Sequence, residues 1–483
     1  MPEQIIFEMS RPGRKGYTLE PLDVPEKPVD SLLPKECLRE KPARLPEMSE
    51  NEVVRHFVRL SHMNHHIDKG FYPLGSCTMK YNPKINEVTA SLPGFTRVHP
   101  HQAVSTVQGC LQVAWEVEKL LCEVTGFKAV TTQPAAGAHG ELTGIMLIRK
   151  YHDKKKNARS LILIPDSAHG TNPSSVTIAG YTTLEFKSND RGLIDFEDFC
   201  SKLTSDVAGL MVTNPNTLGF FESDIKKIAG ALHSKDALLY MDGANLNALL
   251  GFVKPAELGV DVLHINLHKT FSTPHGGGGP GSGPVAVSEK LVDFLPVPRV
   301  VNKNGVFSLD YNLPDSIGKV HSFYGNFGIL VRALTYMLMV GKRGMRRVSE
   351  NAILNSNYLL SLIKNDYEHP YGSPVMHEFV VSADRQKEKG IKALDIAKRL
   401  LDFGFHAPTI YFPLIVHEAL MIEPTETETK ETLEAFAAVL KQIAREVDEN
   451  PEILLTAPHN TPVSRLDDVR ASKEINIRYK FNE

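Results

Sequence analysis

Asp261-Val-Leu-His-Ile-Asn-Leu-His-Lys-Thr-Phe-Ser-Thr-Pro-His-Gly-Gly-Gly-Gly-Pro-Gly-Ser-Gly-Pro-Val-Ala-Val287 is the stretch from which the fold is read. It opens as a buried strand and closes as another, Pro284 to Val287. Between them lie His268, Lys269 and six glycines, Gly276 to Gly279, Gly281 and Gly283. A lysine next to a histidine at the end of an apolar strand is poorly placed for solvation. Burial disfavours the ammonium form, and a neutral amine is what Schiff-base chemistry requires. The glycines let backbone come close to a flat ligand and adopt positive φ. Lys269 is therefore a candidate cofactor lysine; taken alone, the stretch equally allows a surface lysine beside a flexible loop.

Upstream, Leu161 to Ile164, Gly209 to Thr213, Ala237 to Met241 and Val262 to Leu267 are short, nearly continuous apolar runs. Each suits a strand covered on both faces. Helical stretches such as Asp224 to Ser234 separate them, and strand and helix in alternation predict a parallel α/β sheet. Ligands of such sheets bind at the carboxyl ends of the strands. The loops after Ile164, Thr213, Met241 and Leu267 are thereby gathered in one place.

Leu111, Ala114, Val117, Leu121 and Val124, at spacings of three and four, predict an amphipathic helix. Residues 1–75, rich in proline, are expected as an extended arm, with Phe71, Tyr72 and Leu74 arguing for some packing. Residues 76–330 are expected as a large domain. Residues 331–483 are expected as a smaller α+β domain, with strand-like Glu378 to Val381, helices near Ile391 to Leu401 and Leu433 to Val447, and a polar tail after Ala457.

The chain has 483 residues, 42% hydrophobic and 23% charged, which is ordinary for a soluble globular protein. A net charge of -3 leaves no nucleic-acid footprint. Five scattered cysteines without a C-x-x-C pair point to reduced thiols in a cytoplasmic setting. No secretory signal is visible at the N-terminus. Gly328 to Gly341, interrupted by Arg332, is too short to span a bilayer. His62, His65 and His66 lack the partner spacing of a metal site, so no metal is expected.

Four pieces of chemistry fall at the gathered loops. Asp242, 27 residues before Lys269, is placed to pair with a protonated pyridine nitrogen and keep a pyridinium as an electron sink; an N-cap role is the bland alternative. His169, in Pro165-Asp-Ser-Ala-His-Gly-Thr171, sits where an imidazole stacks on a ring. Thr213, before Asn-Pro-Asn, is placed to bond a ring oxygen or substrate, although turn chemistry also explains that sequence. Ala136, Gly137 and Ala138 lead into a helix expected to start near Glu141, leaving backbone N–H groups free for a phosphate. A phosphate cradle, a stacking ring, an acid and the lysine thus follow in chain order on one sheet edge, and together they specify pyridoxal 5′-phosphate far better than any one does. The glycine run is neither a P-loop nor a dinucleotide fingerprint, since no Gly-Lys-Ser/Thr follows and the glycines open into a strand.

Leu267-His-Lys-Thr-Phe271 with Pro274-His-Gly-Gly-Gly-Gly-Pro-Gly281 resembles the cofactor-lysine segment of glycine dehydrogenase (decarboxylating), the P-protein of the glycine cleavage system. Phe71-Tyr-Pro-Leu-Gly-Ser-Cys-Thr-Met-Lys80, Ser167-Ala-His-Gly-Thr-Asn-Pro173, Ser322-Phe-Tyr-Gly-Asn-Phe327, His406-Ala-Pro-Thr409 and Glu423-Pro-Thr-Glu426 are similar to that family too. The chain resembles the lysine-bearing C-terminal half of the family's longer members, as in the split form. The resemblance implies a fold-type-I, aspartate-aminotransferase-like architecture, with Lys269 carrying the cofactor, His169 stacking on it and Asp242 facing its pyridine nitrogen. It implies decarboxylation of glycine with release of CO2 and transfer of the aminomethyl group to the lipoyl arm of an H-protein. It also implies a partner, subunit 1, in a heterotetramer of two of each. A carrier-independent amino-acid decarboxylase of the same fold type is the alternative. Ala135-Ala136 stands where many relatives carry Asn-Ser, so the phosphate site leans on backbone N–H groups.

Overall fold

The computed structural model describes residues 3–275, 281–372 and 374–481. By contact the chain falls into two compact units, residues 1–66 with 456–483, and residues 67–455. In the first, the helix Glu50–Met63 starts on a reciprocal cap between Ser49 and Glu52. Phe7, Tyr479 and Phe481 form an aromatic cluster in the same unit.

The second unit is organised by a seven-stranded sheet. Its strands are β1 (Ala129–Thr131), β2 (Leu161–Pro165), β3 (Thr182–Phe186), β4 (Val207–Thr213), β5 (Leu238–Gly243), β6 (Val262–Ile265) and β7 (Val285–Val287). Their order is β1-β7-β6-β5-β4-β2-β3. Strands β2 to β6 run parallel, and β7 is antiparallel to both β1 and β6. Alternate residues of each strand enter opposite cores. Leu163, Leu210, Val212, Leu239 and Leu263 pack with the helix Gln108–Thr125. Ile162, Ile164, Met211, Tyr240 and Val262 pack with Ile145, Leu147 and Ile148 of the helix Gly137–Lys154. With both faces covered, the strands read as continuous apolar runs.

Past an antiparallel pair, β8 (Arg299–Lys303) and β9 (Val306–Asp310), the helix Phe327–Ile363 is broken at Gly341, whose φ is 62°. A smaller antiparallel sheet follows, formed by β10 (Phe379–Ser382), β11 (Thr409–Ile410) and β12 (Ala419–Ile422) in the order β10-β12-β11. Helices Ala393–Asp402 and Lys430–Glu449 close its core with Leu400, Leu433, Phe436 and Leu440.

Residues 67–75, expected with the N-terminal arm, cluster with this unit. Phe71 meets Phe436 edge-on with ring centroids 5.1 Å apart, inside the roughly 4.5–7 Å range of favourable aromatic pairs. Leu74 bridges to Ile422, and Gly75 N donates to Met421 O at 3.2 Å. The loop after Leu74 is thereby fixed beside the strand ends that Glu378 and Glu423 flank.

Candidate active site

All the residues expected from the sequence come to one cavity of about 270 Å³: Ala136, Gly137, Ala138, His169, Thr213, Asp242 and Lys269 line it, with Ser76, His264 and His268 among their neighbours. Lys269 lies on a single helical turn, Leu267–Thr270, just beyond β6 rather than on the strand itself. It is 8% exposed, and its Nζ donates to Ser76 O at 2.5 Å. Burial, followed by the charges of Lys269, His275 and His264, pushes the His268 imidazole down to about 3. Its Nδ1 has no hydrogen-bond partner among the described residues.

Asp242 ends β5 and is 2% exposed. Its Oδ1 accepts from Ala244 N at 2.8 Å and its Oδ2 from Asn172 Nδ2 at 3.2 Å. The first bond belongs to the turn after β5, and the second reaches across from the start of the helix that follows β2. The next helical turn is capped at Asn245, not at Asp242. In the parallel pairing of β5 and β6, His264 stands directly opposite Asp242. Its Nε2 lies 3.3 Å from Oδ1 of Asp242 and 2.9 Å from Oδ1 of Asn266, and its Nδ1 is 2.6 Å from the Tyr240 hydroxyl. Burial pushes the Asp242 carboxyl up, but His264, Lys269, the Ala244 N–H and Asn172 together hold it below the usual range. It is a carboxylate at neutral pH.

His169 falls between β2 and the helix Thr171–Ile178. Its Nδ1 is 2.8 Å from Thr171 Oγ1, which in turn donates to Glu141 Oε1 at 2.8 Å. Desolvation lowers its pKa against the pull of Asp242, so the ring is held neutral. An uncharged, anchored imidazole is suited to lying against an aromatic ring.

The helix after β1 starts at Gly137, four residues earlier than Glu141, the start expected from the sequence. Ala136 is extended (φ −158°, ψ 166°) and no side chain caps the helix, so its first-turn N–H groups face the cavity without a side-chain acceptor. Glycine permits the approach: a Cβ at residue 137 would stand 2.2 Å from Asn266 Nδ2, and one at residue 283 would stand 2.0 Å from Ala136 O. Gly281 lines the cavity, while Gly276 to Gly279 lie outside the described residues.

These features fit a flat, phosphorylated pyridine aldehyde. The helix end offers unclaimed N–H groups to a phosphate. Thr213 Oγ1, buried and facing the cavity, has no partner among the described residues. An ionised carboxylate and a buried amine complete the set.

Several residues of the site were not identified by sequence reasoning. Tyr240, His264 and Asn172 build the surroundings of Asp242; the only signal was a histidine interrupting the apolar run of β6. Lys80, fully buried, donates to Glu426 Oε1 (2.7 Å), Asn247 Oδ1 (2.9 Å), Thr270 O (2.9 Å) and Tyr336 OH (3.2 Å). It ties the loop before it to the turn that bears Lys269. Glu378 Oε2 accepts from Ser76 N at 2.8 Å, and Glu423 Oε2 from Thr78 N at 2.9 Å. Three of these positions, Asn172, Lys80 and Glu423, lie in stretches quoted above for their family likeness.

The family model described as "Glycine cleavage system P-protein" matches residues 23–304, and one described as "Glycine dehydrogenase, C-terminal domain" matches residues 348–461. A probable glycine dehydrogenase (decarboxylating) subunit 2 of Chloroherpeton thalassium is 62% identical, covering 100% of this chain and 99% of its own length. Relatives of the same description from Chlorobaculum tepidum and Caldanaerobacter subterraneus are 60% and 58% identical, covering 99% and 98% of this chain and the same shares of their own lengths. Among solved structures, an inhibitor-bound glycine decarboxylase (P-protein) superposes with a TM-score of 0.72 at 21% identity, over 86% of this chain and 94% of that one. A sphingosine-1-phosphate lyase of Burkholderia pseudomallei gives 0.64 at 13% identity, with the same coverage. Both share the fold.

Proposed function

The chain belongs to the glycine cleavage system P-protein family, matching glycine dehydrogenase (decarboxylating) subunit 2 sequences from end to end, and from that premise we propose that it binds pyridoxal 5′-phosphate around Lys269 and decarboxylates glycine. The observation that carries the site assignment is the convergence on one cavity of a buried amine, an ionised carboxylate, an unpartnered threonine hydroxyl and an uncapped helix end. Bound there, the cofactor supplies an electron sink for the pair left behind when glycine loses CO2.

The residues divide the work. Lys269 would hold the cofactor through its side-chain amine. Asp242, kept ionised by Ala244, Asn172 and His264, holds a proton on the pyridine nitrogen. His169 supports the ring face as a neutral imidazole. The N–H groups following Ala136, at Gly137 and Ala138, hold the phosphate, and Thr213 Oγ1 bonds the ring oxygen. The aminomethyl carbon then joins one sulfur of a lipoyl disulfide while the other sulfur takes a proton, so the carrier is reduced.

The relatives' designation as a second subunit supports a subunit 1 partner, read here as two copies of each chain, with a lipoylated H-protein as acceptor. No helix among the described residues is long and apolar enough to cross a membrane. With the five cysteines unpaired, the cytoplasm is the setting proposed. A carrier-independent decarboxylase is disfavoured by family membership.

Lys269→Ala tests the reading. Loaded with pyridoxal 5′-phosphate, the native chain should show visible absorbance that the variant lacks, and the variant should lose glycine–bicarbonate exchange. A variant that keeps the native spectrum with cofactor bound would falsify the assignment. Exchange measured with subunit 1, with and without lipoylated H-protein, separates the carrier-dependent reaction from a free decarboxylase.

A further inference from the structure

Behind Lys269 lies a second buried group of acids. Glu378 immediately precedes β10 and Glu423 immediately follows β12, and these strands pair antiparallel with Phe379 opposite Ile422. The ladder therefore ends with two carboxyl groups side by side. Both are fully buried, as is His377. The ring of His377 has no hydrogen-bond partner among the described residues, and its Nε2 stands 3.8 Å from each carboxyl. Like charges on neighbouring strands repel, and two carboxylates confined to one dry site do not both ionise.

These acids hold the loop that meets Lys269. Glu378 accepts from Ser76 N and Asn245 Nδ2, and Glu423 accepts from Thr78 N. Ser76 has a φ of 63°, the left-handed region in which a non-glycine residue needs support. Its carbonyl, turned by that conformation, is the acceptor for Lys269 Nζ.

We infer that Glu378 and Glu423 share one proton, together carry a single negative charge beside Lys269, and act as positioning residues that seat the Ser76 carbonyl against its amine. The charged and titratable groups facing the pair are Lys269 and Cys77 at the cavity, His377 beside them, and Glu426, itself neutralised by Lys80. Burial and mutual repulsion raise Glu378 well above the usual range, and burial raises Glu423 to about 7.

The inference rests on Lys269 being the cofactor lysine, and the test keeps the two apart. Glu378→Gln, Glu423→Gln and the double variant retain an oxygen for Ser76 N and Thr78 N. The pH at which the cofactor-loaded protein changes its visible absorbance is measured in each, in the assembly with subunit 1. One shared charge predicts little change in either single variant, because the remaining carboxyl ionises. It predicts a fall of about one to three units in the double variant, the usual effect of a charge at close range. Equal single shifts summing to the double shift mean two charges, and no shift in any variant means none; either overturns the inference.

Infrared spectra of the cofactor-free protein at neutral pH give an independent reading. The shared proton predicts a protonated-carboxyl band in the native-minus-variant difference spectrum of each single variant. The difference cancels the contribution of Glu118 and Glu428, acids that burial also raises to about 7. A stoichiometric divalent cation surviving dialysis, with that band absent, would overturn the shared proton in favour of a metal bridge. If the native protein shows no visible absorbance with cofactor, the proposed function fails while the infrared result still stands.

Discussion

Two buried clusters flank Lys269, alike in composition and opposite in electrostatics. Each has one histidine and two acids: Asp242 and His264 on the large sheet with Glu141 of the helix Gly137–Lys154, and His377, Glu378 and Glu423 at the end of the small sheet. Around Asp242 the histidine is fully engaged, with Tyr240 on one nitrogen and Asp242 and Asn266 at the other, and the carboxyl is held low. In the second cluster the histidine bonds nothing among the described residues, and burial pushes it down to about 3. The carboxyls there rise instead. Burial alone does not set the charge of an acid. Neighbouring charge decides the direction: His264 and Lys269 lower Asp242, whereas Glu423 raises Glu378.

The comparison breaks most visibly at Asp242. Asp242→Asn keeps the shape and removes the charge, so the pyridine nitrogen loses its counter-ion. Turnover in glycine–bicarbonate exchange should fall about 10²–10³-fold, the usual cost of removing a preorganised electrostatic group. A loss of less than tenfold with cofactor bound would show that the carboxylate is not the electronic partner.

A smaller effect is expected one layer out. His264→Leu removes the imidazole that orients Asp242 while leaving the carboxyl in place, and an orienting partner of this kind is worth about 10–100-fold in activity. His377→Leu is the matched control. It deletes a ring that makes no hydrogen bond among the described residues, and replacing an unsatisfied buried polar group by an apolar one is nearly neutral or stabilising. Equal damage from the two changes, in activity and in melting temperature, would erase the distinction between the clusters.

Most of the first cluster's function was legible in the sequence and most of its support was not. Asp242, His169 and Thr213 stand at the ends of apolar runs, where an α/β sheet must deliver them to one edge, so counting strands was enough. The wide apolar runs gave the parallel core for the same reason: both faces are covered. His264 lies inside β6, and its pairing with Asp242 depends on the register between two strands, which no local pattern specifies. The helix start was set four residues late because glycine is a poor helix former. Contact with Asn266 and the backbone of residue 283 makes glycine necessary there. Glu378 and Glu423 are 45 positions apart by number, and only the antiparallel pairing of β10 with β12 brings them together. Ending the arm at residue 75 and starting the large domain at 76 did not reveal how Ser76 to Lys80 help seat Lys269, since the hydrogen bonds of Ser76, Thr78 and Lys80 reach residues more than 160 positions away.

The smallest expected effect is a slope. Glu423 has a folded-state pKa raised from 4.5 to about 7, so between those values the folded chain keeps a proton that the unfolded chain has lost. The stability this contributes is complete below about 4.5 and is lost as pH rises through 7. Glu378 is raised as well, which steepens the same trend. Asp242 has the opposite sign: its depressed pKa contributes stability above its ordinary value of 3.8 that disappears as pH falls. Glu423→Gln removes one rising cost and relieves the repulsion on Glu378. Relative to the native chain, the variant should therefore be near neutral at about pH 4.5 and gain stability with increasing pH, levelling off above pH 7. The gain is bounded by about 1.4 kcal/mol per pH unit for one proton. Denaturant midpoints measured across that window read the slope directly. A variant whose advantage grows toward acid instead would mean that Glu423 is held ionised as Asp242 is, and the two clusters would then follow the same rule.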